Sequence, residues 1–409
     1  MSNSTQVEAS VLHGAKDLRI VSLNHLILFI YLYRVHPTHN QTKKEQRPLP
    51  PPSDSEVQIA VSATGLCGSD LHYYNHFRNG NIIVREPLTL GHESAGVVTA
   101  TGSAVTDLQP GDRVALEVGL PCETCEFCVQ GRYNICKAMS FRSSAKSVPH
   151  AQGTLQTRIN HPARWCHKLP ETLSLEHGAL IEPLSVAMHA RSRAALKEGS
   201  TVLVLGAGAV GLLCGAVAKV AGAKTVLIAD ILPERTEFAV RNGFADASFT
   251  VPMVRPQSIE EKLAYAQDVA EKIKAVEVAG GSVGEVDVTF ECTGVESCMH
   301  TAIYSTKPGG KVMIIGMGTP IQTIPISAAS LKEVDLVGVF RYANTYPAAI
   351  ELLAGKDERM PDVSKLVTQR FTGLSNIPAA FDMAGKVKDE QGNLVLKVMV
   401  NTSSEDARL

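Results

Sequence analysis

Residues 201–230 read TVLVLGAGAVGLLCGAVAKVAGAKTVLIAD, and this stretch decides the fold. Thr201–Leu205 is an apolar, β-branched run that reads as a buried strand, and it leads directly into Gly206-Ala207-Gly208-Ala209-Val210-Gly211. The next apolar positions have helical spacing and Thr225–Asp230 is a second apolar run, so the segment reads as strand, helix and parallel strand. Each glycine has a mechanical role. Gly206 allows the tight turn, Gly208 lets backbone approach a pyrophosphate, and Gly211 lets helix and strand pack closely. The helix start, with Val210 in its first turn, offers free N–H groups to the anion. Asp230 closes the second strand at the spacing of about 20 residues where a carboxylate binds ribose hydroxyls and repels a 2′-phosphate. The expected cofactor is therefore NAD rather than NADP, with Arg235 a nearby cation in the same site.

Working outward, VDVTFECTG (286–294), GKVMIIG (310–316) and VDLVGVF (334–340) repeat the buried-strand texture at intervals that leave room for crossover helices. A doubly wound parallel sheet over residues 184–339 is expected. Upstream, VQIAVSATG (57–65), AGVVTATG (95–102) and GDRVALEVG (111–119) are short β-branched runs broken by glycine, the pattern of a mostly antiparallel domain. The chain of 409 residues thus reads as α/β, with a mostly β domain over 1–183, the parallel-sheet domain over 184–339, and a tail, 340–409, that rejoins the first.

A net charge of −2 gives no field for holding nucleic acid or an anionic membrane, and a small neutral substrate fits better. The longest apolar run, Leu26 to Tyr33, is far short of the roughly 20 residues that span a bilayer. Cytoplasm is the expected location, with Ala407-Arg408-Leu409 only loosely like the Ser-Lys-Leu peroxisomal address.

Four of the nine cysteines, Cys122, Cys125, Cys128 and Cys136, fall in one short segment as C-x2-C-x2-C-x7-C. That spacing suits a closed four-thiolate zinc, which leaves no open position and so serves structure rather than chemistry. Four packed thiols or an iron–sulfur cluster are the alternatives. A second constellation is scattered: Cys67 in GLCGSDLHYY, His92-Glu93 in GHESAGVV and Glu182 in ALIEPLSV. Mixed sulfur, nitrogen and oxygen ligands suit a zinc that keeps one position open for a substrate oxygen.

Gly91-His92-Glu93-x-x-Gly96, with Gly102 and Val105 beyond it, resembles the zinc signature of medium-chain alcohol dehydrogenases. Cys67 to Tyr73, Glu182 to Val186, Glu291 to Gly294 and Phe340-Arg341-Tyr342 are similar to the sorbitol and xylitol dehydrogenase branch, and the retained cysteine tetrad resembles its microbial or fungal members. The resemblance implies a GroES-like catalytic domain, a Rossmann domain, and a homodimer or homotetramer. It also implies zinc-dependent oxidation of a polyol, D-sorbitol or xylitol, to the ketose with hydride transfer to NAD. In that reading Cys67, His92 and Glu93 are zinc ligands, with Glu182 a ligand or bound through water, so the third ligand stays open. Ser69 would take the substrate proton, His72 would pass it to solvent, and Tyr73 and Arg341 would line the polyol site. L-arabinitol, threonine or a primary alcohol are rival substrates; a non-catalytic NAD-binding structural protein is the rival from another class.

One segment has no place in this pattern. Val21 to Lys44, VSLNHLILFIYLYRVHPTHNQTKK, interrupts what would otherwise be a continuous LRIEQRPLP. Valine codons begin GT and a lysine codon can end AG, so the segment reads as a translated in-frame intron; the alternative is a real loop that touches a membrane or partner.

Overall fold

The computed structural model describes residues 5–23, 47–355 and 357–402, and these divide into two compact units. The first holds Met1–Val129, Cys136–Glu182 and Val367–Leu409; the second holds Gln130–Ile135 and Pro183–Leu366.

Glu56–Gly65, buried at every second residue from Val57 and at Gln58 and Thr64 besides, is the spine of the first unit. It pairs antiparallel with Glu93–Thr101, with Arg158–Pro162 and with Lys397–Asn401. Arg113–Leu116, Cys166–Lys168 and Val367–Thr372 complete a seven-stranded sheet in which only the last two C-terminal strands run parallel. Val367–Leu409 belongs to the first unit and Pro183–Leu366 to the second, so the division falls after Leu366 rather than at Phe340. Residues 340–345 stay with the second unit because they are hydrogen bonded within it: Asn134 donates to the Phe340 carbonyl, and Asn344 N–H donates to the Tyr133 hydroxyl.

The second unit carries a six-stranded sheet whose pairings are all parallel. Its order runs Ala247–Thr250, Thr225–Asp230, Thr201–Leu205, Val286–Glu291, Thr306–Ile314, Asp335–Gly338. Strand order therefore reverses beside Thr201–Leu205, which places the candidate dinucleotide site at the switch point where such sheets bind ligands. Leu203, Leu205, Leu227, Val286 and Val312 are buried to 5% or less and form the core beneath it. Among the described residues no helix is long and apolar enough to cross a membrane.

Of the anomalous segment, Val21–Leu23 forms the end of the strand Asp17–Leu23. The remainder, and the Ala407-Arg408-Leu409 terminus, lie outside the described residues.

Candidate active site and dinucleotide site

Cys67 is the N-cap of helix Gly68–His76, and His92 and Glu93 stand where the chain enters strand Glu93–Thr101. One ligand atom from each of Cys67, His92 and Glu93 lies within 4.8 Å of the others, a thiol, an imidazole and a carboxylate converging on one point. Such a mixed donor set fits a zinc ion with a free position. Glu182, on helix Leu175–Ala194, is buried to 5% exposure but is not part of that cluster.

The partner of His92 is Asp70, a residue that the motif GLCGSDLHYY contains but does not by itself single out. His92 Nδ1 lies 3.2 Å from Asp70 Oδ1, and the same carboxylate accepts from Gly91 N–H, Ser143 Oγ and Cys67 N–H. Burial alone would raise Asp70, but the His92 charge and these donors hold its carboxyl below the ordinary range. With Nδ1 engaged, Nε2 is the nitrogen left to face a metal.

Lys397 is the second residue that sequence reasoning misses. Gly65 sits opposite both Glu93 and Met399 in adjacent strands, which brings Lys397 to Glu93 although 304 residues separate them. Its Nζ donates at 2.7 Å to each Glu93 oxygen. Burial opposes the charge on Lys397, yet Glu93, Cys67 and Glu182 together hold the ammonium above the ordinary lysine range. A β-carbon at position 65 would fall 2.3 Å from Glu93 Oε2 and 3.3 Å from its β-carbon, so glycine there leaves the carboxylate the space it occupies. The available signal is one lysine inside the apolar run Val395-Leu396-Lys397-Val398-Met399-Val400.

Ser69 lies in the first helical turn after Cys67, half-buried, and His72 is exposed on the same helix. Tyr73 is 3% exposed in the apolar cluster with Leu66, Leu88 and Leu90, and its hydroxyl accepts Ala145 N–H. The expected substrate-lining side chain is thus packed into the core along its ring. Arg341 belongs to the second unit, where its backbone is left-handed (φ 53°) and its guanidinium lies 4.7 Å from the Phe340 ring centroid.

The four cysteines of the loop, Cys122, Cys125, Cys128 and Cys136, lie together. Sγ separations are 3.5 Å for Cys125–Cys128, 3.8 Å for Cys125–Cys136 and 3.5 Å for Cys122–Cys136. Four sulfurs at Zn–S bonds of about 2.3 Å would stand ~3.8 Å apart, so the tetrad fits zinc, and it is too open for disulfides, which close at about 2.05 Å. Backbone N–H groups of Thr124 and Cys125 hold the Cys122 thiol down to about 6, towards the thiolate that a metal needs.

In the second unit Gly206 has φ 98°, and a β-carbon on Gly211 would fall 1.8 Å from the Gly206 carbonyl oxygen. Gly208, the N-cap of helix Ala209–Val220, meets nothing within 4 Å, which leaves open space at the helix start, one residue before Ala209 and two before Val210. Asp230 accepts from Ala207 N–H at 2.7 Å and from Leu232 N–H at 2.9 Å, fixing its carboxylate at the tip of the strand. Arg235 Nε is buried without a hydrogen-bond partner among the described residues. An orphaned donor, an open helix start and a pinned carboxylate fit a dinucleotide.

Comparison with known proteins agrees with both units. Residues 53–171 match the alcohol dehydrogenase GroES-like domain and residues 209–355 the zinc-binding dehydrogenase domain. Sorbitol dehydrogenase of Bos taurus is 41% identical over 362 residues, 88% of this chain and 93% of that protein. The chain belongs to the zinc-containing medium-chain alcohol dehydrogenases, in the polyol branch. L-idonate 5-dehydrogenase of Vitis vinifera is 38% identical over 355 residues, covering 86% of this chain and 90% of that one. The crystal structure of 2R,3R-butanediol dehydrogenase from Bacillus subtilis superposes with a TM-score of 0.72 at 28% identity, over 97% of this chain and all of that one. This dehydrogenase uses zinc and a nicotinamide cofactor.

Proposed function

We propose that this polyol dehydrogenase oxidises D-sorbitol or xylitol to the ketose with NAD as hydride acceptor, and that it holds one catalytic and one structural zinc. The observation that carries the reading is the convergence of Cys67, His92 and Glu93 on one point in a family of zinc polyol dehydrogenases. Cys122, Cys125, Cys128 and Cys136 would hold the structural ion. Zinc at the first site supplies Lewis acidity that lowers the pKa of an alcohol towards neutrality. Ser69 takes the hydroxyl proton, and the exposed His72 passes it to solvent. A nicotinamide cofactor held by Gly206, Gly208, Gly211 and Asp230 would supply the acceptor for the carbinol hydride. Arg341 supplies a guanidinium suited to the remaining hydroxyls of a polyol.

The experiment is NAD reduction, followed by absorbance, with sorbitol, xylitol, L-arabinitol, L-idonate, threonine and ethanol. Sorbitol or xylitol should be turned over with the highest kcat/KM; a zinc-loaded, folded chain silent on every polyol would overturn the substrate reading.

Asp230 supports NAD because a carboxylate pinned by two N–H groups cannot swing away from a 2′-phosphate. Like charges brought together cost several kcal/mol. Asp230→Ala is therefore expected to reduce the NAD-over-NADP preference in kcat/KM by about 100-fold, at ~1.4 kcal/mol per tenfold. An unchanged ratio would mean that Asp230 does not read the ribose.

The subunit fits a homodimer or homotetramer: among the described residues Asp335–Gly338 is an open edge of the parallel sheet, and Ile321, Ile326 and Leu331 are exposed close to it in sequence.

Val21–Lys44 reads as dispensable. Val7 pairs with Leu23 and with Arg47, 24 positions on, and Val21–Lys44 is itself 24 residues long. Joining Ile20 to Glu45 would therefore bring Arg47, Pro48 and Leu49 to the same count along Thr5–Gly14, on the side that Asp17–Leu23 now occupies. The deletion variant should stay active and keep its unfolding midpoint within roughly 3 °C, the shift that about 1 kcal/mol produces in domains of 150–250 residues. A larger fall would show that the segment is part of the fold.

A further inference from the structure

We propose that Lys397 is a positioning residue that keeps the metal site open, by holding Glu93 so that it can offer a metal at most one oxygen. The inference rests on the reading that Cys67, His92 and Glu93 hold zinc. Lys397 is only 4% exposed, and its ammonium is bonded to both Glu93 oxygens at 2.7 Å and to the Leu66 carbonyl at 3.3 Å. Every Nζ hydrogen is thereby engaged. On the other side the carboxylate is pressed against Gly65, whose missing β-carbon makes the space. Glu93 is thus held between a strand and a cation, with no freedom to turn both oxygens towards Cys67 and His92.

Two consequences follow from elementary chemistry. A carboxylate can grip a metal through both oxygens, and here that would fill the position a substrate oxygen needs. An ammonium shared across both oxygens prevents this. A fixed positive charge beside a divalent cation also weakens metal binding, so Lys397 gives up affinity and keeps an open coordination position.

The test uses the full chain as purified, with Lys397→Met, Lys397→Gln and Lys397→Arg, and reads apparent zinc affinity by competition with a chromophoric chelator. Loss of the charge should tighten zinc at this site by about 10- to 100-fold, the range over which groups behind a metal ligand shift metal affinity. In the same variants kcat should fall, while Lys397→Arg stays near the unaltered chain in both readings. Unchanged or weaker zinc binding in a folded charge-loss variant overturns the proposal.

A second measurement needs no Lys397 variant. Cobalt exchanged into the unaltered chain, read as the difference spectrum against Cys67→Ala, should give the intense visible absorption of four-coordination. Weak five-coordinate absorption would also overturn the proposal. If Cys67→Ala binds as much zinc as the unaltered chain, the parent reading fails instead, so the two failures are distinguishable.

Discussion

Cys67→Ala is expected to lower polyol turnover by at least about a thousandfold, equivalent to ~4 kcal/mol of the several that a Lewis-acidic metal supplies. NAD binding should be nearly unchanged, because the dinucleotide site is built from Gly206, Gly208, Gly211 and Asp230, which belong to the other compact unit. The expected split follows from the geometry around Cys67. It contributes the only sulfur of the three-residue cluster, and as N-cap of helix Gly68–His76 its backbone N–H is fixed by Asp70. Asp70 in turn orients His92, so the remaining two ligands stay in place in the variant but are too few to retain zinc. Zinc content by atomic absorption, NAD affinity by fluorescence titration and steady-state rates check the three parts separately. Normal turnover in a variant lacking this thiol would remove the metal from the reaction.

Cys125→Ser is expected to give the second largest effect, this time on folding. Cys125 Sγ is within 3.8 Å of both Cys128 and Cys136, so its loss removes the sulfur that ties the two ends of the loop. Around the tetrad regular structure is thin: helix Glu126–Val129 has four residues, none buried. Such a segment has too little apolar burial to hold its shape, and binding free energy from the ion becomes folding free energy. The variant should contain one zinc fewer per chain, cleave between Leu120 and Met139 under limited proteolysis, and unfold at a lower temperature. An unchanged zinc content with an intact loop would return the tetrad to four packed thiols.

How much of this is legible in the sequence depends on how local each constraint is. Gly206, Gly211 and Asp230 act on backbone only a few residues or one helix away, and strands Thr201–Leu205 and Thr225–Asp230 fall at the positions expected from the pattern. The cysteine tetrad is equally local. Lys397 and Glu93 meet only because three strands align across a register that no sequence pattern states. Tyr73 shows the limit of a motif: which face of helix Gly68–His76 packs inward decides that Asp70, Tyr73 and Tyr74 are buried while His72 and His76 are exposed. The boundary expected at Val339 falls at Leu366 because Phe340 and Asn344 are anchored to residues 131–134 through side chains on a separate loop.

The most direct test of the central claim is polyol-dependent NAD reduction by the purified chain before zinc removal, after chelation, and after zinc is returned. The account predicts activity on sorbitol or xylitol that disappears with the metal and comes back with it. Activity that survives complete removal of zinc from the Cys67, His92 and Glu93 site would contradict it.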